Sequence, residues 1–183
     1  MTIRRNAIGV FYGLVVLLAF HASASAQYRD WKAAGDWDIV VSTSGKNDFC
    51  MASASYKAGT IVFLTVKPVT RVMVLTLVHE RWKSVEVGQE YPVEFYWDGA
   101  RGTGKMYGTK IGNTLGIEGA LTQGGLARFM NANTMTVVYK GELVAKLSLS
   151  GTTAAVLELK NCQLSVNPGG WPSADNPPDP FRR

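Results

Sequence analysis

The chain has 183 residues, 46% of them hydrophobic and 18% charged, with a formal net charge of +5 and two cysteines. So much apolar content excludes a disordered chain, and the mild charge supplies no basic stripe interleaved with stacking aromatics of the kind nucleic acid requires. The length suits one hydrophobic core and little more than one domain.

The N-terminus reads MTIRRNAIGVFYGLVVLLAFHASASAQ. Arg4 and Arg5 precede an apolar run from Ala7 to Phe20, and Ala24-Ser25-Ala26 supplies the small residues of a signal-peptidase site. The run is shorter than the roughly 20 residues that cross a bilayer. Residues 1–26 are therefore expected to be a signal peptide, which makes the mature chain periplasmic or secreted with no transmembrane segment. The leader holds two of the 19 basic residues and none of the 14 acidic ones, so the mature chain is only mildly basic. In an oxidising compartment two cysteines are expected to pair, giving a Cys50–Cys162 disulfide that ties an early strand to the end of the domain. A nucleophilic Cys50 would instead need a free thiol and a base, and His79 is the single histidine left after cleavage.

The body of the chain, residues 27–163, is dominated by strand signals. A first strand is predicted over 37–42. Segments 60–66 and 72–78 are apolar on both faces, as in central strands covered on both sides or in a partner surface. Over 91–98, Tyr91, Val93, Phe95 and Trp97 alternate with Pro92, Glu94 and Asp98, giving one dry and one wet face. Segments 134–140 and 142–149 alternate in the same way, and Tyr139-Lys140-Gly141-Glu142 between them predicts a hairpin. Short helices are predicted over 126–130 and from Thr152 to about Lys160, the second capped by Ser150 or Thr152 with Cys162 just beyond its end. Residues 164–183 hold five of the seven prolines and read as a flexible tail that Trp171 docks. The expected fold is a single antiparallel β-sandwich or barrel-like domain with one or two short helices.

Gly99-Ala-Arg-Gly-Thr-Gly-Lys105 fits the spacing of a phosphate-binding loop, G-x-x-x-x-G-K. Met106 stands where a magnesium-binding hydroxyl belongs, and the glycines and β-branched residues that follow do not suit the helix such a loop requires. The stretch is read as a loop between strands, and no cofactor is implied. Metal-site and catalytic constellations are thin: the cysteines are spent, His79 stands alone, and Asp36, Asp38, Glu80, Glu86, Glu94 and Asp98 read mostly as solvated groups. Tyr96 projects opposite to the dry face and, with Arg101, Lys105 and Lys110 from the glycine-rich stretch, forms a candidate aromatic-basic patch for an acidic protein or an anionic glycan.

Gly35-Asp-Trp-Asp-Ile-Val-Val41, Phe49-Cys-Met-Ala-Ser53 and Leu147-Ser-Leu-Ser-Gly-Thr-Thr-Ala-Ala-Val-Leu157 leading to Cys162 resemble small exported proteins related to the invasion-associated locus B family of alphaproteobacteria. Val41 stands where that family commonly has a cysteine. The resemblance implies a periplasmic or surface β-sandwich without known catalytic residues. The expected function is binding, to an envelope or secreted protein, without catalysis. The alternatives are a small envelope hydrolase working through paired carboxylates and a self-associating structural envelope protein.

Overall fold

A computed structural model describes residues 27–43, 48–67 and 70–172; the expected signal peptide and the end of the proline-rich segment lie outside the described residues. The alternation in the sequence becomes one antiparallel sheet of ten strands: β1 (Gln27–Ala34), β2 (Trp37–Thr43), β3 (Phe49–Ser55), β4 (Thr60–Lys67), β5 (Val72–His79), β6 (Glu90–Trp97), β7 (Ala100–Ile111), β8 (Thr114–Leu121), β9 (Thr134–Tyr139) and β10 (Glu142–Ser148). Helix α1 (Gln123–Asn131) joins β8 to β9, and α2 (Thr152–Val166) follows β10. The spatial order is β1-β2-β3-β4-β5-β8-β7-β6-β9-β10, so β1 and β10 are edges and the sheet is not closed into a barrel. Tyr56 spans the gap between the two arms, its hydroxyl donating to the Ser148 carbonyl at 2.8 Å. Burial, with the Asp36 charge as a lesser cause, pushes its pKa up to about 12.

Turn chemistry sets two of the hairpins. Asp98 and Gly99 have φ of +47° and +89°, and Lys140 and Gly141 +51° and +84°, the paired left-handed residues of a two-residue turn whose twist matches that of its strands. The Tyr139–Glu142 hairpin thus forms where the sequence places it.

One face of the sheet carries the core. Register places Trp37, Ile39, Val41, Cys50, Leu64, Leu75, Leu77, Val93, Met106, Met135, Val137 and Leu147 there, all buried. Both helices pack on this inner face. Phe129 of α1 is fully buried between the rings of Trp37 and Trp97, at centroid distances of 6.2 and 6.3 Å. The first turn of α2 clamps the end of α1: the Thr152 hydroxyl lies 2.9 Å from the carbonyl oxygens of Phe129 and Leu149, and the Thr153 hydroxyl donates to Met130 at 2.6 Å. Cys50 and Cys162 form the expected disulfide, Cα atoms 6.0 Å apart, and the Cys50 amide donates to the buried side-chain carbonyl of Gln163 at 3.0 Å.

Several local expectations are corrected. Helix α2 runs past Lys160 to Val166 and contains Cys162, because Ala155, Val156, Leu159, Cys162 and Gln163 form one buried stripe at helical spacing. Neither Ser150 nor Thr152 caps it; Gly151 occupies the cap at φ +83° while Thr152 turns its hydroxyl toward α1. The helix takes the first residues expected for the tail, and Trp171 then packs partly buried against the core. The largest correction concerns 99–112, which is a hairpin turn leading into the twelve-residue strand β7 and no loop. Of its glycines, Gly108 is dictated by close backbone approach. A Cβ at Gly108 would fall on the Glu86 carbonyl, since Gly108 exchanges backbone bonds with Gly88 and Gln89 at 2.8 Å. Strands β1 and β8 are likewise absent from the sequence reading, which put Cys50 on an early strand without bounds for β3.

Candidate functional site

Strand register decides which predicted site residues meet. Tyr96 lies opposite Arg101 and Pro92 opposite Lys105, so Tyr96, Arg101 and Lys105 share the outer face, the one away from the helices. Lys110, an odd number of positions from Lys105, projects from the inner side of β7 opposite Leu115, so it does not join them. The outer cluster is organised by two carboxylates that the sequence reading left out of the patch. Glu94 accepts from the Tyr96 hydroxyl at 2.7 Å and from Arg101 Nη2 at 2.6 Å. Glu90 accepts from Lys105 Nζ, 2.9 Å from Oε1, and from the Tyr107 hydroxyl at 3.1 Å. The Tyr96 hydroxyl and then Arg101 hold the Glu94 carboxyl below its usual range, and Lys105, with help from Tyr107, does the same for Glu90. Both cations are therefore already neutralised.

The same face continues across β8, β5, β4, β3 and β2 as an apolar field, buried on β5 at Val74, Thr76 and Val78 and partly exposed on β2 to β4. Tyr107 pairs with Glu118, Glu118 with Thr76, Thr76 with Phe63 and Phe63 with Ser53, which puts Val40, Met51, Ile61 and Phe63 on this side, each half-buried. Lys67 and Glu118 form a further ion pair there at 3.3 Å. The two-faced apolarity of β4 and β5 in the sequence corresponds to this arrangement: one face in the core, the other in the outer field.

On the inner side, a cleft of about 480 Å³ opens between β7–β8 and α1. Leu75, Phe95, Trp97 and Met106 make its apolar floor, with the Phe95 and Trp97 rings stacked 5.8 Å apart. Gly102, Gly104 and Gly119 line it from the strands, and Gly124, Gly125 and Arg128 from the helix. The sequence reading assigned Phe95 and Trp97 to the core and singled out neither the cleft nor Arg128. The available signal was glycine at alternate positions on one face of β7, which strips side chains from a surface that would otherwise be filled.

Two of the residues considered for catalysis, His79 and Asp98, hold local structure. Nδ1 of His79 accepts from the Arg81 amide at 3.0 Å, which leaves Nε2 to donate to the Ala58 carbonyl at 2.9 Å, and the ring stacks on Trp82 at 5.7 Å. Asp98 accepts from the amides of Asn133 and Thr134, at 2.9 and 2.8 Å, and from both their side chains. The phosphate-loop spacing falls on a tight turn and a strand, so its amides serve a ladder instead of a phosphate cradle. Among the described residues no helix is long and apolar enough to cross a membrane.

No protein-family model matches the chain, and no curated protein matches it. Its structure is similar to the crystal structure of invasion associated protein B from Bartonella henselae, with a TM-score of 0.55 and 11% identity over 72% of this chain and 95% of that one. The two share a fold. The resemblance seen in the sequence motifs thus holds for the architecture, and at this identity no residue role passes from one protein to the other.

Proposed function

We propose that the chain is an exported binding domain that docks a protein partner in the cell envelope through the outer face of its sheet. The observation that carries this reading is the make-up of that face: Val40, Met51, Ile61 and Phe63 form an apolar centre, bordered by the Lys67–Glu118, Lys105–Glu90 and Arg101–Glu94 pairs. An apolar centre with a polar rim of both signs is the anatomy of a protein–protein interface. An anionic glycan would need free cations, and Arg101 and Lys105 have carboxylate partners already. The leader-like N-terminus and the Cys50–Cys162 bond support an oxidising compartment. A carboxylate hydrolase receives less support, because Glu94 and Asp98 are engaged in hydrogen bonds that organise the sheet.

The test is site-specific photo-crosslinking in the native envelope, with the reactive group at Met51 and, as a control, at exposed Lys160 on α2. One discrete adduct from position 51, lost in Phe63→Glu and absent from position 160, supports the reading. An adduct of twice the chain mass replaces it with self-association. Equal labelling from both positions, or none from position 51, overturns it.

A further inference from the structure

We infer that the cleft between β7–β8 and α1 binds a small monocarboxylate with an apolar ring or chain. The argument begins with two unused donors. Trp97 is 7% exposed and its indole N–H, open to the cleft, has no acceptor among the described residues; the exposed Arg128 guanidinium has neither a carboxylate nor a carbonyl partner there. Both converge on one point. A Cβ built on Gly102 would lie 3.9 Å from Trp97 Nε1 and 3.5 Å from Arg128 Nη1, so glycine at 102 leaves open the place where a shared acceptor would sit. A carboxylate seated there would accept from both donors, and a guanidinium favours a carboxylate because it can donate two parallel hydrogen bonds.

The rest of the cleft sets the body of the ligand. Beyond the two donors the floor is Phe95, Leu75 and Met106, and the stacked Phe95–Trp97 pair offers a flat surface for a ring or chain. The volume of about 480 Å³ falls within the range of small-molecule sites. One unneutralised cation at the mouth matches a single negative charge. A free organic acid and the C-terminal carboxylate of a peptide share this chemistry. The cleft lies on the inner face and the proposed docking surface on the outer, so each can fail alone.

The experiment follows the five tryptophan indole signals and the glycine amides by ¹H–¹⁵N correlation spectra of the mature chain. The probes are 4-phenylbutyrate, its uncharged amide, and the dipeptide acetyl-Ala-Phe with a free carboxylate; Trp97→Phe assigns the indole signal. Either acid is expected to shift the Trp97 indole and the Gly102, Gly104 and Gly119 amides while leaving the other four indoles in place, and the tighter of the two identifies the source. The amide, and either acid on Arg128→Gln, should bind about tenfold or more weakly, the loss of one charge-assisted contact. Gly102→Ala is the internal control. Its methyl makes only ordinary contacts, so the fold persists while the acceptor position is filled, and binding should disappear. Absence of shifts with both acids, shifts spread over several indoles, or undiminished affinity in Arg128→Gln or Gly102→Ala would each overturn the assignment.

Discussion

Asp98 carries a disproportionate share of local order for an exposed side chain. It holds a left-handed φ in the β6–β7 turn, and its two oxygens fix the amides of Asn133 and Thr134 at the start of β9. These amides are the main cause that keeps its carboxyl below the usual range. A carboxyl whose folded pKa is depressed stabilises the fold above its unfolded value, near 4, and loses that contribution as pH falls through the folded value. Glu90, Glu94 and Glu158 are shifted in the same direction. The melting temperature should therefore be nearly flat from neutral pH down to about 5 and drop below about 4. Asp98→Asn, which keeps a residue tolerant of the left-handed region, should melt lower at neutral pH and show a shallower acid slope; identical slopes would reject this role. The Asp98-Gly99 turn was legible from two adjacent residues, whereas the contacts of its carboxylate lie 35 and 36 positions away and leave no local trace. Gln163 is similar. Its buried carbonyl serves the Cys50 amide 113 residues distant, and Gln163→Leu should cost about 1–3 kcal/mol in denaturant unfolding by orphaning that amide.

Among the elements, those with alternating large apolar residues were read correctly and those built on small residues were not. β6, β9 and β10 announce themselves by one dry face. β7 hides because Gly102, Gly104 and Gly108 occupy the inner positions where large side chains signal a strand, and β3 because its inner residues are Cys50, Ala52 and Ala54. At Gly108 the reason is steric, since neighbouring backbone fills the space, whereas Gly102 and Gly104 line the cleft. Gly108→Ala and Gly116→Ala, whose methyls would meet the Glu86 and Leu77 carbonyls, should destabilise by about 1–3 kcal/mol or more, well beyond Gly102→Ala. Comparable unfolding midpoints for the three would contradict that explanation. Helix α2 was underestimated for a related cause: its buried stripe continues through Cys162 and Gln163, where composition suggested an end. Replacing Cys50 and Cys162 together by alanine should lower stability by about 4 kcal/mol in the chain-entropy account of a loop this long, measured against the oxidised parent.

For the whole molecule, the fold class was legible because strand periodicity recurs throughout the chain, but the order of strands was not. β5 pairs with β8 and β6 with β9 across intervening elements, and pairings of that kind are chosen by the closure of the entire sheet. The separation of an outer apolar field from an inner cleft also exists only at this scale, since adjacent residues of one strand serve opposite faces. The disulfide has a consequence of the same global kind. By joining positions 50 and 162 it closes a covalent ring that contains β3 to β10, α1 and most of α2. A single peptide-bond cut anywhere in that ring opens it without releasing a fragment. Only the stretches ahead of Cys50 and beyond Cys162 can be severed, and in the first of them Trp31 and Lys32 of β1 are held by Glu158 of α2. Nicked in one connection of the ring, the domain should run as a single band without reductant and as two with it. The ring therefore confers tolerance of proteolytic damage as well as stability.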